Sequence, residues 1–209
     1  VAFAWWRFRF FHRNPERRAP SGADPLCPAD GRIIYVDDVE LTPDAANPYH
    51  ERVRAAFAVE GQWTVVATYL SIFDVHFVRS PIAGRVRLHH IAPVASNRSM
   101  GGSFLYAALR RPLPLGRRDY TGKNEFLGVS IEGDGLRILL VLMADWWIDQ
   151  IVTLIGDGET VQRGQLLGKI QMGSQVDLWA PAGQLAAILE PGVAVRAGET
   201  VIGVRNASL

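Results

Sequence analysis

Cysteine is almost absent. Cys27 stands alone among 209 residues, so no intramolecular disulfide can form, which fits a reducing compartment. An excess of one charge sign is missing too: 22 Lys and Arg face 21 Asp and Glu. The formal net charge of +1 argues against a bulk polyelectrolyte partner and leaves any electrostatic partner to a local patch. No apolar run approaches the roughly 20 residues of a bilayer-spanning helix, and the N-terminus lacks the apolar core and small-residue cleavage site of a secretory signal. The five His show no ligand spacing beyond the His89–His90 pair, so no metal is expected. What is there, 48% hydrophobic residues with 20 Gly and 12 Pro, excludes a disordered chain, a collagen-like repeat and a long coiled coil. The length predicts one compact domain with an appendage.

Residues 1–20 form that appendage. Trp5, Trp6, Phe8, Phe10 and Phe11 alternate with Arg7 and Arg9, and the segment carries five Arg against one Glu. It reads either as a core-facing element or as an interfacial anchor on a membrane surface. A second basic segment, residues 110–123, holds Arg110, Arg111, Arg117, Arg118 and Lys123 against Asp119. It reads as a solvated loop or as a contact with anionic lipid headgroups. Nucleic acid is not expected, because no recognition motif accompanies either segment.

Helical periodicity is scarce. Residues 45–58 and 104–109 predict short helices limited by Pro48, Pro112 and Pro114. Residues 32–36, 64–68, 84–88, 137–143, 151–155, 167–171 and 176–179 predict strands, because most are β-branched and bounded by Gly, Asp or Pro. The class is therefore mainly β with few short helices. A repeat sharpens it: Gly158, Val161 and Gly164 recur as Gly192, Val195 and Gly198. Each copy predicts two Gly turns at positive φ around an inward-facing Val. A start signal appears at Pro28-Ala-Asp-Gly-Arg-Ile33, Pro81-Ile-Ala-Gly-Arg-Val86 and Pro181-Ala-Gly-Gln-Leu185, with Pro placed before a strand.

Over residues 150–205 these hairpin-like units resemble the barrel-sandwich hybrid fold of biotinyl and lipoyl carrier domains. A carrier needs a lysine at a tight turn, commonly beside methionine. Here Met172 is followed by Gly173-Ser174, so the modified residue of a carrier is missing.

Asp30, His76 and Ser174 follow in an order that suits an orienter, a base and a nucleophile. Each also has a plain structural reading. Asp30 before Gly31 can be a turn former, His76 a strand histidine near Asp74, and Gly173-Ser174 an ordinary turn.

The chain resembles the phosphatidylserine decarboxylases, particularly their short archaeal-type branch. The matching elements are Phe10-Phe-His-Arg-Asn-Pro-Glu-Arg17, Pro28-Ala-Asp-Gly31, Ile72-Phe-Asp-Val-His76 with Arg79-Ser-Pro81 and Gly84, Gly102-Ser-Phe-Leu-Tyr-Ala107, Asn124-Glu125, and Gly168-Lys-Ile-Gln-Met-Gly-Ser-Gln-Val-Asp-Leu178. They run in family order. The resemblance implies a self-processing enzyme in which Ser174, activated by His76 with Asp30 as orienter, attacks the carbonyl of Gly173. The chain would split between Gly173 and Ser174 into a β chain, residues 1–173, and an α chain, residues 174–209. Ser174 would become a pyruvoyl cofactor, the electron sink for decarboxylating a serine-headgroup phospholipid to its ethanolamine counterpart, with His76 also delivering a proton. Residues 21–209 are then the decarboxylase domain, peripheral on the cytoplasmic side of the cell membrane.

Several positions depart from the family pattern. Val78 stands where archaeal-type members carry Asn, and Phe126 where an Arg follows Asn-Glu. Leu142, Asp145 and Asp149-Gln150 replace a Gln, a Gly and paired arginines, removing groups that could hold a phosphate or carboxylate bidentately. Three alternatives follow: the headgroup is held by the 110–118 insert, the substrate is another amino-acid derivative, or the chain is a non-enzymatic relative using its fold as a binding module.

Overall fold

The β-branched runs form strands, most of them longer than their apolar cores suggest. The computed structural model describes residues 9–44, 46–94, 96–145, 151–170 and 174–206. β1 (Gly31–Leu41) and β2 (Gly61–Leu70) enclose helix α1 (Pro48–Phe57), and β3 (Phe77–Arg79) and β4 (Gly84–Ile91) precede helix α2 (Gly101–Ala108). A hairpin of β5 (Phe126–Gly133) and β6 (Leu136–Ala144) follows, then the short strands β7 (Ile151–Thr153), β8 (Thr160–Val161) and β9 (Leu166–Ile170). β10 (Ser174–Pro181), β11 (Leu185–Ala187), β12 (Ala194–Val195) and β13 (Gly203–Arg205) complete the order.

The mainly β expectation is borne out. Eight strands make one antiparallel sheet in the order β12-β1-β2-β10-β6-β5-β4-β8, open at its edges, beside the smaller sheets β3-β9-β7 and β11-β13. One face of the large sheet packs on an apolar cluster that includes Val66, Val86, Ile131, Leu140, Val176 and Leu178. The other packs on Tyr35, Val65, Leu139, Val141 and Trp179, covered by Tyr49, Val53 and Phe57 of α1. Alternation along β10 follows: Ser174, Val176 and Leu178 line the first face, Gln175, Asp177 and Trp179 the second.

The repeat builds both edges of this sheet. Gly158, Gly164, Gly192 and Gly198 have φ of 80°, 81°, 93° and 73°, and Val161 and Val195 are buried. β8 pairs with the start of β4 (Gly84↔Val161), and β12 pairs with the start of β1 (Gly31↔Val195). Each repeat copy therefore closes on a strand opened by one Pro-x-x-Gly-Arg signal. Glycine is required there because a Cβ on Gly31 would lie 2.1 Å from the Tyr69 carbonyl oxygen, and one on Gly84 2.5 Å from that of Glu132.

Both helices shift from their expected bounds. Pro48 starts α1 instead of limiting it, because a first-turn proline lacks only an N–H that the helix leaves unpaired; the Asn47 side chain caps it by accepting from Tyr49 N. α2 begins at Gly101, before the expected Phe104. β5 was not expected, since Gly128 and Ser130 interrupt its apolar run. Gly128 is where the Phe57 ring of α1 packs: a Cβ there would lie 2.6 Å from Phe57 Cζ.

Candidate active site

Ser174 opens β10 between two neighbours, opposite Leu70 of β2 and Ala144 of β6. It is fully buried, and its hydroxyl has no hydrogen-bond partner among the described residues. A buried hydroxyl without a partner costs free energy, so an unpaired one at this position points to chemistry. Gln171, Met172 and Gly173 lie outside the described residues.

His76 follows the turn after β2. The Asp74 carboxylate closes that turn by accepting from Ser71 N at 2.8 Å and Ser71 Oγ at 2.6 Å. Its carbonyl lies 2.9 Å from His76 Nδ1. A carbonyl only accepts, so Nδ1 carries the proton and Nε2 carries the lone pair. Nε2 is buried and, like the Ser174 hydroxyl, has no partner among the described residues. Ile170 N donates to the His76 carbonyl at 3.0 Å, which ties His76 to the end of β9, four residues before Ser174. Burial is the largest influence on the imidazole and pushes its pKa down to about 4; the Asp74 carbonyl opposes this, while Arg13, Lys169 and His12 add to it. The ring is therefore neutral at pH 7, the state a general base requires.

The fold does not bring Asp30 into hydrogen-bond contact with His76. Its Oδ2 accepts from Arg17 Nη2 at 2.7 Å and its Oδ1 from Ala197 N at 2.8 Å. Arg17 reaches on to Glu199 at 2.9 Å. Burial raises the Asp30 pKa, countered by the Ala197 N–H and by Arg17, while the nearby Asp74 charge adds to the rise. The contact expected of Asp30, orienting the imidazole, is made by the Asp74 backbone, which residue-type patterns cannot reveal.

The segment Phe10–Arg17 straps the site. The Phe11 ring, fully buried, lies 4.3 Å from the His76 ring between centroids. Arg13 donates to the Phe10 carbonyl at 3.0 Å and to that of Phe73. Asn14 Oδ1 accepts from Arg79 at 3.0 Å, and Lys169 Nζ contacts His12 Nδ1. The strap thus touches the elements carrying Asp30, His76 and the approach to Ser174.

The substituted positions divide. Val78 and Leu142 are core residues, and Asp145 is buried at the end of β6. Residues 146–150, with Asp149-Gln150, lie outside the described residues, as do residues 1–8 of the aromatic segment and the predicted cut at Gly173. In the basic insert, Arg118 is committed internally: it pairs with Asp37, donates to the Leu113 carbonyl at 2.9 Å and 2.7 Å, and lies 3.7 Å over the Tyr35 ring. Arg110, Arg111 and Arg117 are exposed. Asn124 acts as a loop tie, accepting from Arg98 N at 2.6 Å. Sequence reading missed the buried polar pair Gln175 and Asp177, although two polar residues at alternate positions of a buried strand were a visible signal. Among the described residues no group of three or more His, Cys, Asp or Glu could hold a metal ion.

A family model described as phosphatidylserine decarboxylase matches residues 3–203. A phosphatidylserine decarboxylase proenzyme of Symbiobacterium thermophilum is 34% identical over 202 residues, covering 96% of this chain and 78% of the relative. That of Erythrobacter litoralis is 33% identical over 193 residues, covering 92% and 70%, and that of Burkholderia mallei 32% over 194, covering 92% and 75%.

Proposed function

The chain belongs to the phosphatidylserine decarboxylase family, and from that premise we propose that it cuts itself before Ser174 and decarboxylates phosphatidylserine, or a related serine-headgroup lipid, to the ethanolamine lipid and carbon dioxide. One observation carries the processing step: His76 Nε2, with its lone pair set by the Asp74 carbonyl, and the Ser174 hydroxyl are both buried and both without a partner among the described residues. A base and a nucleophile short of partners are what the step consumes, and His76 is tied through its carbonyl to Ile170, four residues before Ser174.

His76 takes the hydroxyl proton as Ser174 Oγ attacks the Gly173 carbonyl, and the peptide nitrogen leaves as the amine of residue 174, giving an ester. Loss of the residue 174 α-proton then expels the Gly173 carboxylate. Water replaces the nitrogen, ammonia departs, and residue 174 is left as a pyruvoyl group. The position suits such a group, because the orphaned hydroxyl of Ser174 is held away from bulk water. When formed, the group supplies a carbonyl electron sink for the electrons released with carbon dioxide. His76 is the chain's own proton carrier at that point, and Phe11 keeps bulk water from it.

Action at a membrane surface, peripheral and on the cytoplasmic side, belongs to the same proposal. Supporting it, Phe104, Leu105, Leu109 and Leu115 are exposed large apolar residues beside the exposed Arg110, Arg111 and Arg117. Among the described residues no helix is long and apolar enough to cross a bilayer.

Intact-mass analysis tests the processing claim. The wild-type chain should appear as two pieces, 1–173 and 174–209, and Ser174→Ala as one. Only the cut form should react with a hydrazine reagent and release carbon dioxide from serine-headgroup lipid. A wild-type chain that stays whole under native conditions would sink the proposal.

A further inference from the structure

The side of β10 that faces away from Ser174 and Val176 carries an ionisable network where an apolar strand would suffice. Gln175 and Asp177 are fully buried. Asp177 Oδ2 accepts from Tyr35 Oη at 2.7 Å and Tyr49 Oη at 2.6 Å. Gln175 Nε2 donates to Asp177 Oδ1 at 2.7 Å and to Tyr35 Oη at 2.9 Å, and Gln175 Oε1 accepts from Tyr120 Oη. Tyr120 Oη also lies 3.0 Å from Ser103 Oγ. Every polar hydrogen of the Gln175 amide, and its oxygen, is thereby engaged.

Such a cluster is a poor way to add stability. Removing a carboxylate and its partners from water costs several kcal/mol, and apolar replacements of similar volume are often neutral or stabilising. Its placement suggests another use. Gln175 is the residue next to the nucleophile, and Tyr35, Tyr49, Ser103 and Tyr120 all precede the cut, whereas Gln175 and Asp177 follow it. Scission turns Ser174 from mid-chain into a strand end, and strand ends fray unless tied down. The ladder bonds to β2 and β6 remain, but at a terminus they are the first to open.

We propose that Gln175 and Asp177, held by Tyr35, Tyr49 and Tyr120, are positioning residues that clamp the new end of β10 after self-cleavage, so that the group derived from Ser174 keeps its buried place between β2 and β6. Because side chains alternate along a strand, the clamp grips from the face opposite the reacting atoms and does not obstruct them. This inference rests on the processing reading above.

The experiment compares Gln175→Met, which keeps the volume and removes the amide, and Tyr120→Phe, which removes one hydroxyl and spares the packing, with wild type. Both variants should cut to the wild-type extent, because the uncut strand is tethered on both sides. In the cut proteins kcat for serine-headgroup lipid in mixed micelles should fall about tenfold for Gln175→Met and about threefold for Tyr120→Phe, with KM unchanged, since small misplacements at a reacting centre cost this much or more. Amide exchange over residues 175–178 should quicken in the cut variants but not when the same changes are made in uncut Ser174→Ala. Unchanged kcat and exchange in the cut variants would overturn the clamp. So would exchange that quickens equally in the uncut background, which marks a purely structural role, or folded variants that fail to cut, which moves the network into the cutting step. A wild-type chain that is never cut overturns the processing reading and this one together, and is visible by mass before any variant is made.

Discussion

The rings of Phe11 and His76 lie 4.3 Å apart between centroids at an interplanar angle of 39°, both fully buried. The strap residue thus helps provide the desolvation that lowers the His76 pKa to about 4. Phe11→Ala should admit water and return the imidazole toward its ordinary range. Self-cleavage below pH 6.5 should then slow, because a larger fraction of the base is protonated, and the acid limb of the rate profile should move to higher pH. The cavity should also cost about 3–5 kcal/mol of stability. An NMR titration of the imidazole and a pH profile of cleavage check both effects; an unmoved acid limb would show that Phe11 does not shield the base.

Arg17 and Asp30 join the strap to the strand start at β1, their side chains only 8% and 12% exposed. Arg17→Ala leaves the Asp30 carboxylate buried without its cation, a loss of about 3–5 kcal/mol in urea denaturation. Adding Asp30→Asn should recover part of that loss, since the uncompensated charge goes. Strictly additive losses in the double-mutant cycle would show that the pair is not coupled.

His76 and Asp177 make opposite contributions to acid stability. The His76 pKa is lowered to about 4, so between that value and about 6.5 the unfolded chain binds the proton and the folded chain does not; this contribution is lost as pH falls. The Asp177 pKa is raised by burial to about 6, so between about 3.8 and 6 the folded chain holds the extra proton and stability is lost as pH rises. Relative to wild type, His76→Gln should gain on the order of 3 kcal/mol between pH 7 and pH 4, and Asp177→Asn should lose a similar amount over the same range, because each tenfold difference in proton affinity between folded and unfolded chain is worth about 1.4 kcal/mol. Denaturant titrations at the two pH values, using uncut Ser174→Ala as the common background, read the signs directly.

Just past the C-terminus of α2, Arg110→Ala with Arg111→Ala should weaken binding to vesicles containing anionic lipid by about 2 kcal/mol, roughly thirtyfold, at about 1 kcal/mol per basic side chain. Binding to zwitterionic vesicles should change little, and added salt should erase the difference. Phe104→Glu should weaken both, because it removes an exposed apolar contact. Sedimentation that is identical for all three proteins would remove this face from the membrane proposal.

Some of the site was legible in the chain and some was not. The repeat predicted positive φ at Gly158, Gly164, Gly192 and Gly198, since only glycine enters that region without steric cost. β5 escaped notice because Gly128 breaks its pattern, for a reason that lies 71 residues away in the Phe57 ring. His76 and Ser174 were picked out by type and order, and each proves buried with an atom that has no partner among the described residues. Asp74 was legible as a supporting neighbour of His76; that its carbonyl is the group holding the ring was not, because a backbone oxygen has no residue type.

By itself the sequence determined what depends on neighbours along the chain: where turns need glycine, where a Pro-x-x-Gly-Arg signal opens a strand, that the β-branched runs become strands, and which motifs align with a family. Only the tertiary structure decided which polar groups meet. Asp30 went to Arg17 and Ala197, His76 to the Asp74 carbonyl and the Phe11 ring, and Asp177 to two tyrosines more than 100 residues upstream. Those pairings follow from strand register and burial. A buried group takes whatever partner the packed neighbour presents, and that neighbour is chosen by the sheet, not by distance along the chain.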